Sequence, residues 1–462
     1  MSKSKHIAVV GAGWAGCAAA VKLSQNGHRV TLIEAARTLG GRARAVEIHG
    51  KRLDNGQHIL LGAYTACLDL MRLLNIDQQQ NFLRLPLQMV YPHQTGMQFI
   101  APKLPAPLHL LFALWQAKGL AREDKLALAR FSTTARWIDW QLNQDCSVSE
   151  LLQRYDQTER LCRLMWNPLC IAALNTPPER ASAQVFLNVL RDSLGARRAA
   201  SDMLIPRQDL SSLLPNAAAE FVTRHAGQII LGTTIHQLTL LSNGKWCLPE
   251  LSSALPQSAS SDHLNQECEF DGLVVATNAE QCHKLLAQVQ AEEEQTASPD
   301  LLKQLAFETQ FDYEPITTCY LQYADSLQLD RPFYALADNP AQSHWAQFIF
   351  DRGQLNSQQA GLMAVVVSAS TAAIADSHAQ LTQAICQQLS QQLQMPHLAH
   401  PLWTQVITEK RATFSCKPDL QRPQNHTAIA NLVIAGDYTA CDYPATLEAA
   451  VRSGLLAAAA LN

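Results

Sequence analysis

The chain has 462 residues, enough for two or three domains. Hydrophobic residues make up 47% and charged residues 16%, which supports a large buried core and excludes a disordered chain. The net charge of -4 leaves no basic footprint for nucleic acid. The twelve cysteines are scattered and none forms a C-x-x-C pair, which reads as reduced thiols in a cytoplasmic protein.

Met1 to Lys5 is basic and Ile7 to Val21 is apolar, which has the outline of a secretory leader. Gly11, Gly13 and Gly16 argue against it, because three glycines weaken a leader helix and fall at G-x-G-x-x-G spacing. His6–Val10 reads as a buried parallel strand, followed by the glycine turn and a helix from about Ala15 to Gln25. Asn26 and Gly27 end that helix, and Arg29–Ile33 is a second strand stopping at Glu34. The unit has the length of a βαβ crossover. Nine of the 20 glycines lie in the first 62 residues, so special backbone conformations concentrate there.

From about Leu104 to Leu194 the pattern is mostly helical. Gln228–Leu231 and Gly272–Thr277 read as further sheet segments, with a Ser-rich excursion over Leu251–Glu267 between them. Ala291–Asp300 reads as a solvated linker, Ala364–Val367 as a strand and Asn431–Ala435 as a last buried strand. Nucleotide-fold segments at both ends and in the middle imply an α/β fold: a discontinuous Rossmann-like domain with an α+β domain inserted. The boundaries drawn are 1–75, 205–280 and 405–462 for the cofactor domain, and 76–204 and 281–404 for the substrate domain.

The glycine motif follows a strand, opens a helix and is trailed by an acidic residue, the context a dinucleotide fingerprint requires. Gly11 permits the tight turn, Gly13 lets a pyrophosphate approach the backbone, and Gly16 lets helix and strand pack closely. The first helical amides, Ala15 among them, face the phosphates at the positive end of the helix dipole. Glu34 accepts from an adenosine ribose and repels a 2′-phosphate, which disfavours NADP.

Leu39, Gly40, Gly41, Arg42 and Ala43 follow, then Asp54, Asn55, Gly56, Gln57 and His58. This resembles the flavin amine oxidase and phytoene desaturase superfamily, where a G-G-R motif runs beside an FAD diphosphate and a D-x-G segment passes the isoalloxazine. Arg42 then supplies a planar cation for phosphate oxygens. The strand ending in Gly436 and Asp437, and the segment Tyr443–Gly454, resemble that superfamily's closing motif. The resemblance implies that Asp437 accepts from the ribityl chain and that the amides of Thr446 and Leu447 face the pyrimidine edge. It also gives Ile235 backbone bonds to adenine. Ala449 stands where glycine is usual, which puts a close helix contact there in doubt. The FAD is expected to be noncovalent, with Cys441 the nearest candidate for a linkage.

A finer resemblance is to the hydroxysqualene dehydroxylases, carried by Leu53–Tyr64, Trp166–Pro178 and Asp202–Leu210 and running over nearly the whole chain. It implies a long isoprenoid substrate and reduction of hydroxysqualene to squalene in hopanoid-lipid synthesis, with an unidentified electron donor to the flavin. That chemistry needs a proton on the leaving oxygen, and His58 and Gln57 are the first candidates for placing it. Asp54 reads as a structural acceptor, and Arg207, Tyr438 and Tyr443 are further candidates. No metal site is expected, since His397 and His400 lack partners of the right spacing. Leu104–Leu120 has two readings, a core helix of the substrate domain and, less favoured, a face that docks in a membrane interface on the cytoplasmic side. The competing functions are a carotene-type desaturase or isomerase, an amine oxidase, and a flavin-free lipid-binding protein on the same fold.

Overall fold

A strand buried on both faces has no need of polar alternation, and Ile7, Ala8, Val9 and Val10 are all buried. In the computed structural model, which describes residues 4–92, 96–251, 268–291 and 311–462, His6–Val10 is the centre of a five-stranded parallel sheet. Its order is Gln228–Leu231, Arg29–Glu34, His6–Val10, Gly272–Val275, Leu432–Ile434. Ile7 and Val9 pack in a cluster with the helices Trp14–Gln25 and Leu447–Ala460. Ala8 and Val10 point the other way, into a cluster with Trp246 and Phe270. At about 1.5–3 kcal/mol for each large aliphatic side chain fully buried, covering both faces makes this strand central.

The expected helix starts one residue early, at Trp14, and the strand expected over Ala364–Val367 starts at Leu362. Apart from Leu251 and Ala291, the Ser-rich excursion and the solvated linker lie outside the described residues.

The second part of the molecule combines helices between Leu108 and Ser193 with an antiparallel sheet. The sheet order is Phe333–Ala335, Phe348–Asp351, Leu362–Val367, Tyr313–Gln322, Trp403–Phe414. The boundary drawn between 404 and 405 falls inside the last of these strands. That strand pairs from Trp403 with Gln322 to Phe414 with Tyr313, so the second sheet extends to residue 414.

The stretch Trp166–Pro178 joins the helices to this sheet. Trp166 is buried against Phe131 and Phe186 and donates to Gln157 Oε1 at 2.9 Å. Asn175, left-handed at the end of its helix, donates to Glu314 O and Thr413 Oγ1 and accepts from the Ala369 amide. Its role is to hold two layers together. All twelve cysteines are free thiols. Among the described residues no helix is long and apolar enough to cross a membrane.

Candidate active site

The groove is built from backbone first. Gly11 has φ +103°, and a Cβ there would stand 2.6 Å from Ala276 O, so the turn excludes any side chain. A Cβ on Gly16 would overlap Gly11 O, which fixes how closely helix and strand pack. Gly13 differs: the nearest atom to its Cβ position is Gly41 Cα at 4.0 Å, so its backbone is bare toward the groove. No side chain caps the helix that Gly13 begins, and its first turn holds no acid. The amides of Trp14 and Ala15 are therefore available to an anion at the positive end of the dipole. Gly40 donates to Ala12 O at 2.9 Å, and Gly41 adopts φ +62° against Gly13. The two glycine motifs form one cradle.

Glu34 ends its strand with Oε2 accepting from the Ala12 amide at 2.8 Å and Oε1 from the Ala36 amide at 2.9 Å. Each oxygen keeps a lone pair for a ribose hydroxyl. Thr233 donates to Glu34 O, placing the loop of Ile235 alongside. Among the described residues the Ile235 backbone has no hydrogen-bond partner.

The C-terminal motif closes the other end. A Cβ on Gly436 would overlap the Tyr438 ring, and the Gly436 amide donates to Ser453 Oγ at 2.9 Å. Thr446 Oγ1 caps the last helix by accepting from the Ala449 amide at 3.1 Å, leaving the Leu447 amide without a partner among the described residues. The close helix contact in doubt at Ala449 occurs at Gly454, where a Cβ would overlap Ala15 O. Glu448, which the sequence did not single out, accepts from the Ala66 and Cys67 amides and so caps the helix Thr65–Leu73. These features fit an FAD: a bare Gly13, two helix N-termini whose first amides have no partner among the described residues, and a carboxylate at the end of the second strand.

Arg42 carries a structural role beside the one the resemblance implies. Its guanidinium donates to Asp437 Oδ1 at 2.6 Å and to Ala412 O at 2.7 Å, so it clamps the closing motif to the second sheet. Nε and the second Nη2 hydrogen remain for a phosphate, and Asp437 keeps Oδ2 for a hydroxyl.

The loop expected beside the isoalloxazine runs from Asp54 to His58. Asp54 is buried and accepts from the Leu210 amide at 2.8 Å. Burial pushes its carboxyl up to about 7, against the pull of that amide and of Arg352. His58, a first candidate for placing the proton, is oriented by the backbone of its own loop. Its Nδ1 lies 2.6 Å from Gly56 O, and a carbonyl only accepts, so Nδ1 carries the hydrogen. Burial lowers its pKa despite that bond, which disfavours the imidazolium and leaves Nε2 as the nitrogen facing away from the Gly56 carbonyl. Gln57 Oε1 accepts from Arg352 Nη1 at 3.0 Å, and its amide nitrogen donates to His58 O at 3.1 Å. The Gln57 backbone N–H donates to Thr318 Oγ1 of the second sheet.

Arg352 was not foreseen. It is buried and also donates to Gln359 Oε1 at 2.8 Å, and among the described residues no carboxylate lies within ion-pair distance. Of the other candidates, Arg207 donates to Leu355 O and has no carboxylate within ion-pair distance among the described residues. Tyr443 is tied to Asp192 at 2.5 Å, and burial followed by that carboxylate pushes its hydroxyl up to about 12.

Residues 14–462 match the family described as flavin containing amine oxidoreductase. A hydroxysqualene dehydroxylase of Rhodopseudomonas palustris is 27% identical over 99% of this chain and 98% of its own. A zeta-carotene desaturase of Synechocystis is 23% identical, covering 99% of this chain and 97% of its own. The fold resembles that of a triple mutant of putrescine oxidase, with TM-score 0.68 at 14% identity over 99% of this chain and 98% of that one.

Proposed function

The chain belongs to the flavin-containing amine oxidoreductase family and is an FAD-dependent oxidoreductase, and from that premise we propose that it removes the hydroxyl of hydroxysqualene to give squalene, within hopanoid-lipid synthesis. The substrate is drawn from the full-length likeness to hydroxysqualene dehydroxylases. The observation that carries this reading against an amine oxidase is Arg352, a buried cation behind Gln57 on the loop assigned to the flavin ring. A buried guanidinium without a paired carboxylate repels an alkylammonium and welcomes electron-rich oxygen.

In the balanced reaction an allylic alcohol takes up one proton, drawn from solvent, and one hydride, and yields an alkene and water. When bound and reduced, the flavin supplies the hydride. Arg352 holds Gln57 by its carbonyl, which turns the Gln57 amide hydrogens toward the loop and favours a bond to the leaving oxygen. His58 Nε2, an acceptor, orients the same hydroxyl through its hydrogen. The glycine cradle and Glu34 would hold the dinucleotide, and the Leu447 amide at the helix N-terminus would favour the negative charge of a reduced flavin.

A second reading is a desaturase running the same site oxidatively, which the likeness to zeta-carotene desaturase supports. Oxidised and prereduced holoenzyme are each incubated anaerobically with hydroxysqualene, zeta-carotene and putrescine, and products are extracted. Squalene from prereduced enzyme alone is the expected result. Dehydrogenated carotene or an aldehyde from oxidised enzyme, without squalene, replaces this reading.

A further inference from the structure

Among the described residues nine large hydrophobic side chains are exposed, and six of them fall between Leu108 and Trp137. On the helix Leu108–Gln116 they follow helical spacing: Leu108, Leu111, Phe112 and Trp115 occupy the outward face, with Trp115 72% exposed. His109 and Ala113 alone are buried. One face packs on the core through Ala113, with Leu110 and Leu114 half-buried against it, while the opposite apolar face turns outward, so the core reading holds for one face only. Phe112 and Trp115 meet edge to face at 6.2 Å, which joins them into one apolar surface. The next helix, Arg122–Trp137, adds exposed Leu126 and Trp137.

The surrounding charge is one-sided. Residues 103–137 carry Lys103, Lys118, Arg122, Lys125, Arg130 and Arg136 against Glu123 and Asp124, in a chain whose net charge is -4. Asp124 is buried, accepting from the Ala121 amide and from Thr158 Oγ1. Lys125 Nζ donates to Trp115 O at 2.8 Å, which fixes the cationic start of the second helix beside the apolar face. A cavity of about 430 Å³ opens here, lined by Ile100, Ala113, Trp115 and Lys118.

We infer that this face docks on an anionic lipid bilayer, with Leu108, Leu111, Phe112 and Trp115 entering the interface and Lys118, Arg122 and Lys125 meeting the headgroups. A membrane satisfies apolar surface and positive charge together. A second copy of the chain does not, since the same basic rim would face itself across the contact. Docking holds the mouth of the cavity at the bilayer surface. This inference stands apart from the assignment of substrate.

The test is sedimentation of FAD-loaded enzyme with vesicles of phosphatidylcholine, with and without phosphatidylglycerol. Binding is expected to the anionic vesicles and to weaken strongly in about 0.5 M salt, where the Debye length falls to roughly 4 Å. The double variant Phe112→Ser, Trp115→Ser should lower the partition coefficient about tenfold or more. Its flavin absorbance and melting temperature should match the parent, because both side chains are exposed. Parent enzyme that stays in the supernatant, or a folded double variant that binds as well as the parent, overturns the inference. So does a concentration-dependent dimer that the double variant abolishes.

Discussion

The region assigned to the dinucleotide and the region assigned to the substrate are built on different principles. At the dinucleotide end, function is a matter of backbone: Gly11, Gly13, Gly16 and Gly41 sit where side chains are excluded or would fill the cradle. At the substrate end, function is a matter of side chains brought from afar, with Gln57 held by Arg352 and lying on Thr318. Backbone requirements dictate residue type at fixed spacing, and so leave a signature in one short stretch. Converging side chains leave none, because each segment is locally unremarkable in composition and hundreds of residues apart.

The largest effect should come from breaking the backbone end. Gly16→Ala gains about 1 kcal/mol of helix propensity but drives a methyl into Gly11 O. The overlap should outweigh that gain, costing about 3 kcal/mol and the bound flavin, as read by urea unfolding and flavin retention. A Gly16→Ala enzyme that keeps its flavin and stability would mean that the turn tolerates side chains.

Asp54 sharpens the substrate end through pH. Its carboxyl is raised in the folded state to about 7, above the usual unfolded value near 4. Between those values the folded state holds a proton that the unfolded chain has lost. Its contribution to stability is therefore intact below pH about 4 and falls as pH rises to about 7. Asp54→Asn, titrated by urea unfolding, should lose a pH-dependent contribution on the order of 4 kcal/mol over that window. Parallel stability profiles for parent and variant would show that the carboxyl is ionised throughout.

Glu34→Ala removes one ligand without disturbing the glycines. FAD affinity should fall roughly ten- to a hundredfold, about 1.5–3 kcal/mol, while the fold survives. An unchanged dissociation constant would separate Glu34 from the ribose. The smallest effect is expected for His58→Ala, less than about tenfold in kcat with flavin retained, because an orienting acceptor contributes less than a proton donor. A loss of a hundredfold or more would restore His58 as the acid.

The same contrast explains what the sequence revealed. The parallel strands at His6–Val10 and Gln228–Leu231 were legible from their β-branched runs, and the closing helix from its motif. Arg42 was legible as a cofactor-side residue but not as a clamp, since nothing near it announces Ala412 or Asp437. The proton on His58 Nδ1 depends on a carbonyl two residues back whose direction only the folded loop defines. The helix Leu108–Gln116 shows a further limit: spacing reveals which residues share a face, not whether that face turns inward. The strand Trp403–Phe414 was divided between domains because its polar residues, Glu409 to Arg411 among them, interrupt the apolar run a buried strand would show.

The most direct test of the account is a single turnover. Prereduced FAD enzyme is mixed anaerobically with hydroxysqualene, and flavin absorbance and extracted squalene are followed together. One squalene formed for each flavin reoxidised is the predicted result. Full flavin reoxidation without squalene, or squalene formed while the flavin stays reduced, would contradict it.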